Sequence, residues 1–140
     1  MNRSRIGSAL SQDSSVSVTG GVEDATPHRL IQMLMEGALD KIATAKGHML
    51  RKELAEKGRH ISWAISIISG LQSSLDMQAG GEISANLDDL YDYMVRRLVL
   101  AGAGNDATIL DEVSALLLEL KSAWDVLPKQ LASENKQAAI

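Results

Sequence analysis

The clearest pattern of apolar and polar positions lies in residues 86–100, Asn-Leu-Asp-Asp-Leu-Tyr-Asp-Tyr-Met-Val-Arg-Arg-Leu-Val-Leu. Set out at about 100° per residue, Leu87, Leu90, Tyr91, Met94 and Leu98 fall within one ~100° arc, which predicts an amphipathic helix. Asp92 and Arg96 support it, four apart in the favourable acid-then-base order. Apolar residues continue beyond the arc, with Val95 and Val99 on one flank and Tyr93 and Leu100 on the other. One buried seam does not use so much apolar surface.

The same periodicity predicts three more helices. Thr26 caps the first and Pro27 opens it, where a missing N–H costs nothing. This helix is expected to run to residue 51 or 52. Its apolar positions, among them Leu30, Leu34, Met35, Ala38, Leu39 and Ile42, spread over half the wheel, opposite Arg29, Glu36 and Asp40. The charged stretch 51–58 with Gly58 reads as a link. A second helix over 59–77 has a core seam of Ile61, Ala64, Ile65, Ile68, Leu71 and Leu75, with Trp63 and Ile67 as a second stripe about 100° away. Gln78-Ala79-Gly80-Gly81 is the next turn, and the third helix occupies 82–101. Ala101-Gly102-Ala103-Gly104 closes it, and Asn105 or Asp106 caps a fourth helix. There Ile109, Val113, Leu116, Leu117, Leu120, Trp124 and Leu127 share a face, Leu118 points away alone, and Pro128 is expected to end the helix.

Short links between long helices imply an all-α fold, an antiparallel up-down four-helix bundle over residues 26–128. Residues 1–25, rich in Ser, Gly, Asp and Thr, read as a flexible N-terminal arm. Within the arm, Ile6, Ala9 and Leu10 have the spacing of one amphipathic turn. That turn either frays or docks on an apolar groove. Residues 129–140 form a polar C-terminal tail.

Composition agrees. A chain of 140 residues with no Phe, no Cys and two Pro is stocked with helix formers and fits one domain. Without Cys there are no disulfides and no thiol chemistry. A net charge of -4 disfavours nucleic acid as a partner, and no apolar run is long enough for a membrane span. No secretory signal is visible.

Candidate chemistry is thin. His28, His48 and His60 form no Glu-x-x-His pair of the kind that builds metal sites in bundles. The nearest pairing is Glu56 with His60, set across the expected link at Gly58, and all three histidines read as solvated surface residues rather than metal ligands. Asp88, Asp89 and Asp92 read as a solvated face near a helix start. The lone Gly102-Ala103-Gly104 follows a helix, not a strand, so it is no phosphate cradle. Arg96-Arg97 reads as ion pairing with Asp92 and its neighbours, or as a clamp on a partner's carboxylate or carbonyl. Neither an enzyme nor a cofactor is expected. What remains is a second apolar stripe, and a continuous stripe must be covered by the arm, a dimer mate or a foreign helical peptide.

At this point the residues match a known family. The opening of the first helix, Thr26-Pro27-His28-Arg29-Leu30-Ile31-Gln32-Met33-Leu34-Met35-Glu36-Gly37-Ala38, resembles the "SP-x-x-L-x-x-M-L-Y-D-G-A" pattern of the flagellar secretion chaperone family, FliS. Residues 86–98 resemble that family's most recognisable segment, and 105–124 its end. The chain departs from the family in having Met35-Glu36 for the usual Tyr-Asp, and in having no Tyr in its arm.

The resemblance implies a cytosolic four-helix chaperone that holds the C-terminal segment of flagellin, prevents its premature polymerisation and presents it to the export gate component FlhA. It implies no nucleotide, metal or other cofactor. The client's apolar side chains would then meet Trp63, Ile67, Tyr93, Leu100, Met35 and Leu39. A monomer or weak dimer is expected. The rival reading is a homodimeric structural bundle whose surplus stripe is its own interface, with no flagellin client.

Overall fold

A computed structural model describes the backbone of residues 25–138 and the side chains of residues 25–127. The expected amphipathic turn at Ile6–Leu10 and the rest of the arm up to residue 24 lie outside the described residues. Among the described residues four helices follow one another: α1 (Pro27–Leu50), α2 (Leu54–Ser73), α3 (Met77–Gly104) and α4 (Ala107–Ala138). There are no strands among the described residues. Each helix packs on its neighbours in the chain, and α4 returns to α1, so the helices close an antiparallel up-down-up-down ring. The all-α bundle read from the periodicity is the fold observed.

The core is a column of Leu, Ile, Met and Ala in which Leu34, Ile42, Ile68, Met94, Leu98 and Leu117 are fully buried. From 86–100 the predicted arc supplies Tyr91, Met94 and Leu98 to this column, with Leu87 and Leu90 packed on its margin.

Capping follows local chemistry. The Thr26 hydroxyl accepts from the Arg29 N–H at 3.1 Å, as expected of an N-cap ahead of Pro27. Asp76 accepts from the N–H groups of Gln78 and Ala79. Asp106, not Asn105, caps α4 by accepting from the N–H of Thr108 at 3.0 Å. Asn105 instead takes the left-handed conformation (φ 50°) that ends α3.

Three boundaries differ from those predicted. Residues 54–58 are not a link. The turn between α1 and α2 is only Arg51-Lys52-Glu53, with Lys52 at φ 62°, and Gly58 is helical. The charges around Gly58 stay in the helix because Lys57 is buried and reaches α3. Its Nζ donates to the Gly102 carbonyl at 2.8 Å, one of those that the end of α3 leaves unpaired, and to the Asn105 side-chain oxygen Oδ1 at 2.7 Å. The Gln78–Gly81 turn is itself helical. Residues 77–80 form one turn, and Gly81 (φ 54°, ψ -126°) breaks the axis before the main run of α3. Such a φ/ψ pair is one that only glycine adopts without strain.

Pro128 does not end α4, which continues to Ala138. A helical proline leaves the carbonyl four residues back without its N–H partner. Here that carbonyl belongs to Trp124, and it accepts from His28 Nε2 at 2.7 Å. The reciprocal bond runs from Trp124 Nε1 to the His28 carbonyl at 3.0 Å, and the two rings stack 5.0 Å apart. The helix survives its proline because α1 supplies the missing donor.

Candidate functional site

α1 and α4 are fastened along their length by Gln32 to Asp125, Glu36 to Lys121 and Lys46 to Asp111. α3 and α4 are fastened at Glu112, whose carboxylate accepts from the Tyr93 hydroxyl at 2.7 Å and from Arg97 Nε at 2.7 Å. These two bonds, Arg97's first, hold the Glu112 carboxyl below the usual glutamate range. The same contact raises the Tyr93 phenol. Arg96 pairs with Asp92 at 3.3 Å, as the sequence suggested, whereas Arg97 crosses to the next helix.

At the end of the bundle holding Pro27, Ser73 and Trp124, these fastenings leave a gap. An apolar groove of about 420 Å³ opens there between all four helices. Leu30 and Ile31 of α1, Leu71 of α2, Leu87 of α3 and Leu120 and Trp124 of α4 wall it. The Gly81 break shapes its mouth, because residues on both sides of the break, Asp76 and Ile83, line it. Ile83 is 72% exposed on this rim, far more than a core helix residue would be. Tyr91 lies at the inner wall, where burial pushes its phenol up to about 12, so it stays a neutral donor at any ordinary pH. Among the described residues, nothing pairs with its hydroxyl.

The six residues read from the sequence as client contacts are dispersed by the fold. Met35 and Ile67 are each 1% exposed and belong to the core, though Met35 also floors the groove. Leu39 is half-buried against the core. Trp63 is half-buried on the α1–α2 face, with Lys41 Nζ 4.1 Å and Arg59 Cζ 5.6 Å from its ring centroid. Its Nε1 is buried and has no hydrogen-bond partner among the described residues. Tyr93 is half-buried and tied to Glu112. Leu100, 52% exposed, is the most accessible of the six. The two-stripe reading of α2 is corrected too: Ile67 packs in the seam, while Ile65 sits only part-buried.

The groove was missed because its walls carry ordinary core spacing. The half-wheel apolar arc of α1 was the available signal, being wider than its two helix neighbours require.

A last correction concerns the histidines. They are not all solvated: His60 is 7% exposed, and one ligand-capable atom from each of His48, Glu56 and His60 lies within 4.8 Å of the others. No helix among the described residues is long and apolar enough to cross a membrane.

Comparison with known proteins gives one consistent result. The chain matches the family model described as Flagellar protein FliS over residues 10–131. It is 55% identical over 117 residues to Flagellar secretion chaperone FliSB of Pseudomonas aeruginosa, covering 84% of this chain and 93% of that protein. It is 40% identical over 131 residues to Flagellar secretion chaperone FliS of Salmonella typhimurium, covering 92% and 97%. With the Bacillus subtilis protein of the same name it shares 35% identity over 115 residues, covering 82% and 83%.

Proposed function

The chain belongs to the FliS family, a family of chaperones and not of enzymes, and from that premise we propose that it is a flagellin-specific export chaperone. In this reading it binds the C-terminal segment of flagellin in the cytosol, keeps it from polymerising and delivers it to FlhA.

The observation that carries this is the apolar groove with an exposed isoleucine on its rim. An open apolar surface of this kind suits an amphipathic helix, which offers side chains every three or four residues. The client would order on binding, so part of the contact energy goes into folding it, and release remains easy. Tyr91 lines the groove, and its neutral hydroxyl would donate to a client carbonyl there. Leu100 and the exposed edge of Trp63 offer further contact along the bundle. Met35, Leu39, Ile67 and Tyr93 serve as their support.

Titration calorimetry with a flagellin C-terminal peptide tests this. The native chain is expected to bind one peptide per chain. Ile83→Asp changes an exposed residue, so the fold should persist, while a charge set against an apolar client weakens binding about tenfold or more. Leu100→Asp gives the same test for the contact read from the sequence. Undiminished affinity in both variants would remove the groove and the Leu100 flank from the reading. Absence of binding by the native chain would remove the client itself.

A further inference from the structure

The bundle end opposite the groove holds the His48–Glu56–His60 cluster, which the chaperone reading does not use. α1 carries His48 in its last turn. The three-residue turn at 51–53 folds α2 back on it. Glu56 and His60, four apart on α2, project from one face toward His48. The His48 and His60 rings stand 5.1 Å apart at 30°. His60 Nδ1 lies 2.8 Å from the Glu56 carbonyl. A carbonyl only accepts, so Nδ1 carries the proton and Nε2 of the neutral ring keeps its lone pair. His48 Nδ1 lies 2.9 Å from Glu53 Oε1, with the Arg51 guanidinium 3.2 Å from the same nitrogen and itself bound to Glu53. An imidazole nitrogen engaged by a carbonyl or carboxylate, leaving the other free, is the outer arrangement that orients metal-binding histidines.

From these contacts we infer a divalent-metal site made by His48, Glu56 and His60, which clips the C-terminus of α1 to the first turns of α2. Two imidazoles and one carboxylate, with no thiolate, select a borderline cation. Zn²⁺ is the first choice, ahead of the oxygen-seeking Ca²⁺ and Mg²⁺. Tetrahedral bonds of about 2.05 Å place ligand atoms roughly 3.4 Å apart. Each of the three residues already brings a ligand-capable atom within 4.8 Å of the others, with Glu56 Oε2 3.9 Å from His60 Nδ1, so metal binding requires the two rings to turn their free Nε2 atoms inward. Glu56 must also release Arg59, which holds it at 3.0 Å. Both partners of that pair are substantially exposed, and exposed pairs of this kind contribute little. Water fills the fourth position. Lys57, the remaining cation of this turn of α2, is directed away to α3 and does not oppose the metal.

The test is Zn²⁺ titration of the full, untagged, chelator-treated chain, followed by calorimetry and by thermal melting. One Zn²⁺ per chain is expected, with a rise in Tm. His48→Gln and Glu56→Gln, both on the outer side of the cluster, should each weaken binding by about tenfold or more and abolish the Tm shift. Asp89→Asn, which removes an exposed carboxylate outside the cluster, should bind as the native chain does. No saturable binding, or native affinity in either His48→Gln or Glu56→Gln, overturns the inference. The flagellin titration is read separately, so failure here leaves the client reading standing and the reverse.

Discussion

Lys57 shows how much a single residue carries when it is buried beside a helix end. Its ammonium group closes the C-terminus of α3 with two hydrogen bonds, at 2.8 and 2.7 Å. Replacing it by Met keeps the apolar stem but strands the Gly102 carbonyl. The expected cost is about 2 kcal/mol. Thermal melting should show a fall on the order of 8 °C, and a shift within error would contradict the assigned role. In the sequence this lysine was one of several charges in an expected link. Burial of a cation is decided by what lies across the bundle, and hydropathy at its own position carries no trace of it. Glu112 is a second such case. Its carboxyl is held low by Arg97 and then Tyr93, so the linked stability is fully present above the unfolded glutamate value of about 4.3. It is lost as pH falls through the lower folded value. Glu112→Gln should therefore lower Tm at neutral pH, with the gap to the native chain closing under acid. A gap that stays constant down to about pH 3 would contradict the assignment.

Among the elements, α3 separates what periodicity can and cannot reveal. Its core arc, Tyr91, Met94 and Leu98, was legible because those positions face one direction in any straight helix. Its beginning was legible only as a glycine-rich turn, and the helical turn at 77–80 was not. Asp76 starts that turn by capping, and Gly81 ends it with a positive φ. The break turns Ile83 and Asp76 toward the groove, so the shape of the site depends on one backbone angle. Gly81→Ala should cost about 1–3 kcal/mol, because a Cβ at φ 54° is strained whatever space surrounds it. Gly58 provides the contrast. It is helical with open space where a Cβ would go, so Gly58→Ala should stabilise by roughly 0.5–1 kcal/mol. Denaturant unfolding of the pair tests the two assignments together. Equal effects would show that neither glycine is where the fold places it. Pro128 makes the same point from the other end of the chain: a rule that ends helices at proline fails where His28 satisfies the orphaned carbonyl, and that donor lies 96 residues away in the sequence.

For the whole molecule, the sequence made the bundle, its order and its family legible, because each rests on local spacing or on motifs. The groove was not legible as a site, since it is a space left between four helices, and the wide apolar arc of α1 was its trace in the sequence. The fold then redistributes the residues first read as contacts: Met35 and Ile67 sit in the core, Tyr93 fastens α3 to α4, and Leu100 remains accessible. The surplus of apolar residues read from the sequence is the feature that the proposed client contact uses, and burial shifts that contact from Met35 and Ile67 toward the groove and Leu100. Besides the chain's own N-terminal arm, the occupants to be distinguished are a flagellin tail and a second copy of the chain. Sedimentation velocity at low micromolar concentration distinguishes them most directly. The expected result is a monomer that shifts to a complex of one chain with one flagellin, and that fails to shift with flagellin lacking its C-terminal segment. A stable dimer that takes up no flagellin would contradict it.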